Sequence, residues 1–169
     1  MHSKYLIVGS SHAALEAATA IRLIDADGAL TLLTRDAHLP YSPTILPYVV
    51  SGRSQPDNVV LRGQDYFRDN AIAFVPGATV VSLDPARSSL RLASGDIWQY
   101  DRLLIATGAA PMLPKVAGLT DVPFHVLRSM DDAINLRQAM GQARSAIVLG
   151  AGLIGMHAAE NMAKAKIAV

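Results

Sequence analysis

A short apolar run, a small-residue turn and an alanine-rich helix occur twice in this 169-residue chain, once near each end. The first copy is "KYLIVGSSHAALEA" from Lys4, and the second is "AIVLGAGLIGMHAAEN" from Ala146. A strand that hands the chain to a helix through so tight a turn belongs to a βαβ unit, which confines the fold to α/β architectures with right-handed crossovers. In the second copy Gly150, Gly152 and Gly155 fill G-x-G-x-x-G between a strand and a helix, the context that gives this pattern its meaning. There Gly150 permits the turn, Gly152 lets a pyrophosphate approach the backbone, and Gly155 lets helix and strand pack closely. A phosphate would then rest on amide N–H groups at the positive end of the helix dipole.

Between the two copies the punctuation is that of an α/β chain. "SHAALEAATAIRLIDADG" reads as a helix with Ser10 or Ser11 as N-cap and Gly28 as its stop, and "ALTLLT" follows as a strand. Residues 4–34 therefore form one βαβ unit. "HLPYSPTILPYVVSG" is interrupted by proline and holds at most a short helix. From Thr79 to Tyr100 apolar and polar residues alternate around Asp84-Pro85 and Ser94-Gly95-Asp96, the pattern of a three-stranded antiparallel meander. "DRLLIATG" returns to a buried strand, "APMLPKVAG" links, and "SMDDAINLRQAMGQA" is helical with Ser129 and Asp131 near its start. "SAIVLG" then starts a new strand, "AGLIGMHAAENMAKA" a helix and the last residues a further strand.

Composition removes several function classes. Hydrophobic residues make up 51% of the chain, enough for a real core, and 15 basic against 14 acidic residues leave a net charge of +1. Such a balance offers no cationic field for nucleic acid or an anionic membrane. The apolar run after Met1 is too short for a span or a signal core, so a cytoplasmic location is expected. The absence of cysteine from these residues excludes thiolate metal sites, cysteine nucleophiles and a dithiol relay within them. No metal site is expected.

The first turn departs from the glycine pattern. Gly9, Ser11 and Ala14 occupy its three places, and Ser11 puts a side chain where the phosphate should come nearest. Its hydroxyl then either donates to a phosphate oxygen, or Ser10 and Ser11 serve as helix caps. At the end of the second strand Arg35 stands where a ribose-binding carboxylate is expected, with Asp36 one place on. Two readings stay open: Asp36 serves the ribose, or Arg35 contacts the adenine end or a phosphate.

Taken in order, the two turns, "HLPYSPTILPYVVSG", the meander, "DRLLIATG" and "VLRSMDDAINLR" resemble the FAD-dependent pyridine nucleotide-disulfide oxidoreductases along nearly the whole chain. The resemblance implies an FAD-binding domain at 1–112, with a Rossmann-like fold and a β-meander, and the first part of a Rossmann-like NAD(P)-binding domain at 113–169. It further implies that Gly9, Ser10, Ser11, His12 and Ala13 form the FAD pyrophosphate turn. Arg35 matches the ribose position, Val80 a backbone contact to adenine, and Ala106, Thr107 and Gly108 the turn passing beside FAD. Arg128 matches an arginine that reaches the flavin, and Gly150, Gly152, Leu153, Ile154 and Gly155 match the NAD(P)H turn. No catalytic acid or base is implied.

Within the family, Pro43 and Tyr48 stand where the relatives that reduce rubredoxin-type partners carry arginine and lysine in "PYSRPLLSK". His157 replaces a frequent glutamate. The pattern is most similar to FAD-bearing subunits of multi-subunit electron-transfer dehydrogenases. Electrons would pass between NAD(P)H, flavin and a separate redox partner subunit or iron–sulfur protein, an oligomer being admitted. The alternatives are a rubredoxin-, ferredoxin- or nitrite-reductase type of NADH reductase, a dehydrogenase using the second turn alone, and a non-catalytic nucleotide-binding module. The family closes its FAD domain with a later segment bearing a Gly-Asp turn. These residues are therefore expected to be part of a longer reductase, binding FAD weakly by themselves and not turning over NADH.

Overall fold

The computed structural model describes all 169 residues. In chain order its elements are β1 (His2–Val8), α1 (His12–Ile24), β2 (Leu30–Leu33), α2 (Leu46–Val50), α3 (Gln64–Asp69), β3 (Ile72–Val75), β4 (Val80–Asp84), β5 (Ser89–Leu92), β6 (Ile97–Ile105), α4 (Met130–Met140) and α5 (Leu153–Lys164). The architecture is the expected α/β class. Two compact units divide it: residues 1–42 with 60–108, and residues 43–59 with 109–169. No helix is long and apolar enough to cross a membrane.

The first unit is a six-stranded sheet in the order β3-β2-β1-β6-β5-β4. β3, β2, β1 and β6 run parallel, while β5 and β4 continue antiparallel from β6. On one face Ile7, Leu30, Leu32, Phe67 and Ile72 pack with Ala14, Leu15 and Ala18 of α1. The three helical positions recur at i, i+1 and i+4, the inward stripe of an amphipathic helix, and two alanines among them let α1 lie close to the strands. A second cluster gathers Leu6, Leu33, Ala78, Leu90, Leu92 and Trp98. Alternation along β1 and β2 thus supplies residues to both clusters, as a strand covered on two faces requires.

The meander and the "DRLLIATG" strand prove to be continuous. β6 pairs antiparallel with β5 through Ile97–Gln99, then runs parallel beside β1 as far as Val8↔Ile105. One nine-residue strand therefore joins the antiparallel ribbon to the parallel sheet. Its distal end is not buried: Leu104 and Ile105 are 39% and 60% exposed. The apolar run reported strand formation correctly but not its cover. α3 and β3 have no counterpart among the expected elements, because six and four residues are too short for a clear period. At the end of α1, the helix stops at Ile24 rather than running on to Gly28. Asp25 ends it because its carboxylate binds Gly28 N–H, Lys4 and Tyr5, drawing the chain into a turn.

In the second unit α2 packs against both α4 and α5, with Asn161 Nδ2 donating to Pro47 C=O at 3.0 Å. α4 opens with a capping box, Ser129 accepting from Asp132 N–H while the Asp132 carboxylate accepts from Ser129 N–H. The expected strand "SAIVLG" and the final strand form only a single parallel bridge, Ser145↔Ala168. Ile147 and Leu149, 95% and 68% exposed, have no flanking strand to complete a ladder, and β-structure depends on such neighbours.

Candidate functional site

β1 ends where three backbones are drawn together. Gly9 N–H donates to Leu33 C=O at 2.8 Å, and Ala106 N–H donates to Val8 C=O at 2.8 Å. The carboxyl ends of β2, β1 and β6 therefore meet at Gly9. Its φ is +129°, and a Cβ built there would lie 2.2 Å from Ala106 O, so only glycine fits. From β1 the chain crosses through α1 to β2 on one side, while β6 lies on the other. This reversal of direction is a topological switch point, and the edge outside the carboxyl ends of the strands there is the usual ligand position in open α/β sheets. The first turn of α1 follows β1 at this edge, and Ala106, Thr107 and Gly108 follow β6 beside it.

The start of α1 supplies donors. Its first intrahelical bond is Leu15 N–H to Ser11 C=O at 3.0 Å, so the amides of His12, Ala13 and Ala14 precede the helical ladder. They lie at the positive end of the helix dipole, and His12 and Ala13 are exposed. Ala14, in the third glycine place, is fully buried. The smallest side chain suffices there.

The two serines act neither as side-chain caps nor as free donors. Ser11 occupies the N-cap position without a side-chain capping bond, and its Oγ donates to Tyr41 C=O at 3.1 Å. Ser10 Oγ donates to Thr34 Oγ1 at 3.2 Å. Thr34 Oγ1 also accepts from Asp36 N–H at 3.2 Å, and Asp36 Oδ2 accepts from Tyr41 O–H at 2.6 Å. Ser10, Thr34, Asp36, Tyr41 and Ser11 thus close a ring that ties the glycine turn to the end of β2 and to the segment after it. The expectation of a Ser11 hydroxyl offered to phosphate is corrected: that hydroxyl is spent on Tyr41. Thr34 and Tyr41 were absent from the residues singled out by sequence. The available signal was Thr-x-Asp, whose short side chains bond amides two residues on, as Asp36 Oδ1 does with His38 N–H at 3.0 Å.

Arg35 lies in the middle of this anchored segment. Thr34 N–H donates to Val75 C=O, Ala78 N–H to Thr34 C=O and Gly77 N–H to Asp36 C=O, so the backbone on both sides of Arg35 is fixed. The Arg35 side chain is exposed. Val80 is half-buried at the start of β4 and packs on the second core cluster. The first unit therefore brings Gly9–Ala13, Arg35 and Ala106–Gly108 to the carboxyl edge of its parallel strands, with Val80 at the start of the antiparallel ribbon.

In the second unit the glycine turn has the same logic and barer chemistry. Gly150 has φ +115°, and a Cβ on Gly155 would lie 2.1 Å from Gly150 O. The turn and α5 are thus in backbone contact. Gly152, the N-cap of α5, has no atom within 4 Å of a Cβ built upon it. The space above it is open. Met156 N–H makes the first helical bond to Gly152 C=O, leaving the amides of Leu153, Ile154 and Gly155 ahead of the ladder. Farther along α5, Glu160 is held below its ordinary carboxylate range by its hydrogen bond to Lys164. His157 is exposed. Arg128 has its Nε on Ala109 C=O at 2.9 Å and its N–H on the Asp132 carboxylate, an arrangement confined to the second unit.

Both turns fit a dinucleotide on structural grounds. Each presents three amides at a helix start, each needs glycine at its first place for the turn, and the second leaves its middle place clear for close backbone approach.

Comparison with known proteins bears on the same residues. A family model described as pyridine nucleotide-disulphide oxidoreductase matches residues 3–169. The chain is 56% identical over 164 residues to the NADH-dependent phenylglyoxylate dehydrogenase subunit epsilon of Aromatoleum evansii, covering 97% of this chain and 39% of that protein. The solved ferredoxin reductase for the CYP199A2 system of Rhodopseudomonas palustris matches at 33% identity and TM-score 0.83, over 98% of this chain and 41% of that one. The NADH:rubredoxin oxidoreductase of Clostridium acetobutylicum, at 24% identity and TM-score 0.88, covers 99% of this chain and 43% of its own, and shares the fold. The chain spans about 40% of the length of these relatives.

Proposed function

The chain belongs to the pyridine nucleotide-disulphide oxidoreductase family, and from that premise we propose that it is part of an FAD-dependent NAD(P)H oxidoreductase. We take 1–112 as the FAD-binding domain, apart from Pro43–Val59, which pack with the second unit, and 113–169 as part of the NAD(P)-binding domain. The observation that carries the reading is the meeting of β1, β2 and β6 at Gly9, beside the exposed residues His12 and Ala13, whose amides lie ahead of the helical ladder.

On this reading Gly9, Ser10, Ser11, His12 and Ala13 hold the FAD diphosphate through backbone N–H groups, and Ser10 and Ser11 stiffen that turn through their side chains. Ala106, Thr107 and Gly108 line the opposite wall, Val80 meets adenine through its backbone, and Arg35 stands at the ribose. Arg128, held at Nε, keeps its remaining N–H groups for the flavin. Gly150, Gly152, Leu153, Ile154 and Gly155 receive the NAD(P)H diphosphate. FAD, when bound, accepts a hydride and releases electrons singly; the protein binds, orients and tunes it. These residues hold no dithiol to relay those electrons, which supports a separate acceptor, a redox partner subunit or an iron–sulfur protein.

The 56% identity to a dehydrogenase subunit supports a place in a multi-subunit complex of that kind. A ferredoxin-reductase role has weaker support from the 33% identical structure. A cytoplasmic location is part of this proposal, supported by the use of NAD(P)H that it assigns. Titration of the chain into FAD tests the core of the proposal. Binding will change flavin fluorescence saturably, and no change at saturating protein overturns it.

A further inference from the structure

The ring that braces the first turn also decides which charge meets the adenosine ribose. In dinucleotide folds the position just past the second strand holds a carboxylate for a 2′-hydroxyl, or an arginine nearby where the ribose carries a phosphate. Here Arg35 occupies it, and the neighbouring acid is engaged elsewhere. Asp36 Oδ2 accepts from Tyr41 O–H at 2.6 Å and Oδ1 accepts from His38 N–H at 3.0 Å, so its carboxylate is turned into its own loop. Arg35 is exposed, makes no ion pair, and is set in register by the bonds of Thr34 and Asp36 to the segment 75–78.

We infer that Arg35 is a specificity-determining residue that makes the first nucleotide site read the adenosine ribose with a cation, so that it takes an ADP moiety bearing a ribose 2′-phosphate at least as well as the plain one. The inference rests on the proposed nucleotide site at Gly9. A guanidinium gives a phosphate monoester a charge-assisted, two-pronged hydrogen bond, whereas a ribose hydroxyl gains little from it. A carboxylate at the same place would repel that phosphate and accept from the hydroxyl.

Competition against bound FAD tests it. ADP and 2′-phospho-ADP are titrated into the FAD complex of the chain and of Arg35→Glu, with displacement followed by flavin fluorescence. In the chain as it stands, 2′-phospho-ADP will displace FAD at the same concentration as ADP or a lower one. Arg35→Glu will shift the ratio toward ADP by about tenfold or more, the worth of one charge-assisted bond. Arg35→Ala, which cannot be faulted for added repulsion, will shift it in the same direction by less. ADP binding at least tenfold tighter in the unaltered chain, or a ratio indifferent to both substitutions, overturns the inference. Should FAD itself not bind, the flavin reading falls; direct calorimetry of the two ADP compounds on the same three chains then decides the ribose question by the same ratio.

Discussion

Gly9→Ala puts the convergence of strands to a quantitative test. Two penalties are expected at that position, and the chain contains a residue that isolates one of them. At Gly9 an alanine must adopt φ +129°, and its Cβ must also find room 2.2 Å from Ala106 O and 2.7 Å from Ala106 C. Neither neighbour is a side chain that can swing aside. Both belong to the backbone of the segment that β6 delivers, and that segment is held by Ala106 N–H to Val8 C=O. Gly77 also has a positive φ, +71°, but nothing lies within 4 Å of a Cβ built there. Gly77→Ala therefore reports backbone strain alone, about 1–2 kcal/mol. Gly9→Ala adds to at least that strain the cost of forcing apart packed backbone, about 1–3 kcal/mol more.

Urea unfolding followed through Trp98 measures both variants. Trp98 is the one tryptophan in the chain and is buried in the second core cluster of the first unit, so its emission reports that unit. Gly9→Ala should lower stability by about 2–5 kcal/mol and Gly77→Ala by about 1–2 kcal/mol. Equal losses for the two would refute the claim that β1 and β6 press together at Gly9, and with it the shape of the proposed site.

Gly152→Ala should behave in the opposite way: with φ −73° and open space around it, the variant should lose no more than about 1 kcal/mol, the difference between glycine and alanine at an N-cap. Its NADH affinity, read by fluorescence titration, should nonetheless fall by about tenfold or more; unaltered affinity would remove Gly152 from the phosphate site. Ser129→Ala breaks the capping box of α4 and should cost about 1 kcal/mol in thermal or urea unfolding, with Ser129→Gly closer to the parent. The Asp25 carboxyl is lowered from its ordinary 3.8 to about 2, chiefly by the hydrogen bond from Lys4 and then by Gly28 N–H. Because the folded value is the lower one, this contribution is complete above pH 4 and is lost as pH falls toward 2. Stability measured against pH should decline less steeply over that window in Asp25→Asn, and an identical profile would count against the assignment.

How far the sequence could be read depended on where each element drew its determinants. The glycines at 9, 150 and 155 were legible because a turn with positive φ or a backbone contact admits almost no other residue. The capping box at Ser129 was legible in part, since its partners lie within one helical turn. β3 and α3 escaped because four- and six-residue elements next to Gly63 and Asn70 carry too little period to separate from loop. The fusion of the meander with "DRLLIATG" escaped for a different reason. Trp98, Tyr100, Arg102 and Leu104 alternate along one uninterrupted strand, but local sequence does not say that its partner changes from β5 to β1 on the way. The brace at the first turn was least visible, because Ser11 and Tyr41 are thirty residues apart and meet through a backbone carbonyl.

That brace also accounts for the chief difference between the two turns. A serine in the middle glycine place looks like a defect if its side chain occupies the phosphate's approach. Hydrogen-bonded to Tyr41 C=O, the same side chain is drawn out of that approach and anchors the turn to another segment. Ser10 anchors it to β2 through Thr34. A turn fixed in this way loses little further freedom when it binds, so more of the interaction with a diphosphate appears as affinity. Gly152 has no such anchor and leaves its place open. A cofactor that stays through many turnovers is best served by the first arrangement, and a nucleotide that must enter and leave on each cycle by the second. Ser11→Gly should therefore do what the glycine pattern alone would not suggest: by removing the anchor at Tyr41 it should weaken FAD binding and speed its release. Stopped-flow displacement of FAD measures that release, and unchanged or slower release would show that the hydroxyl only obstructs the site.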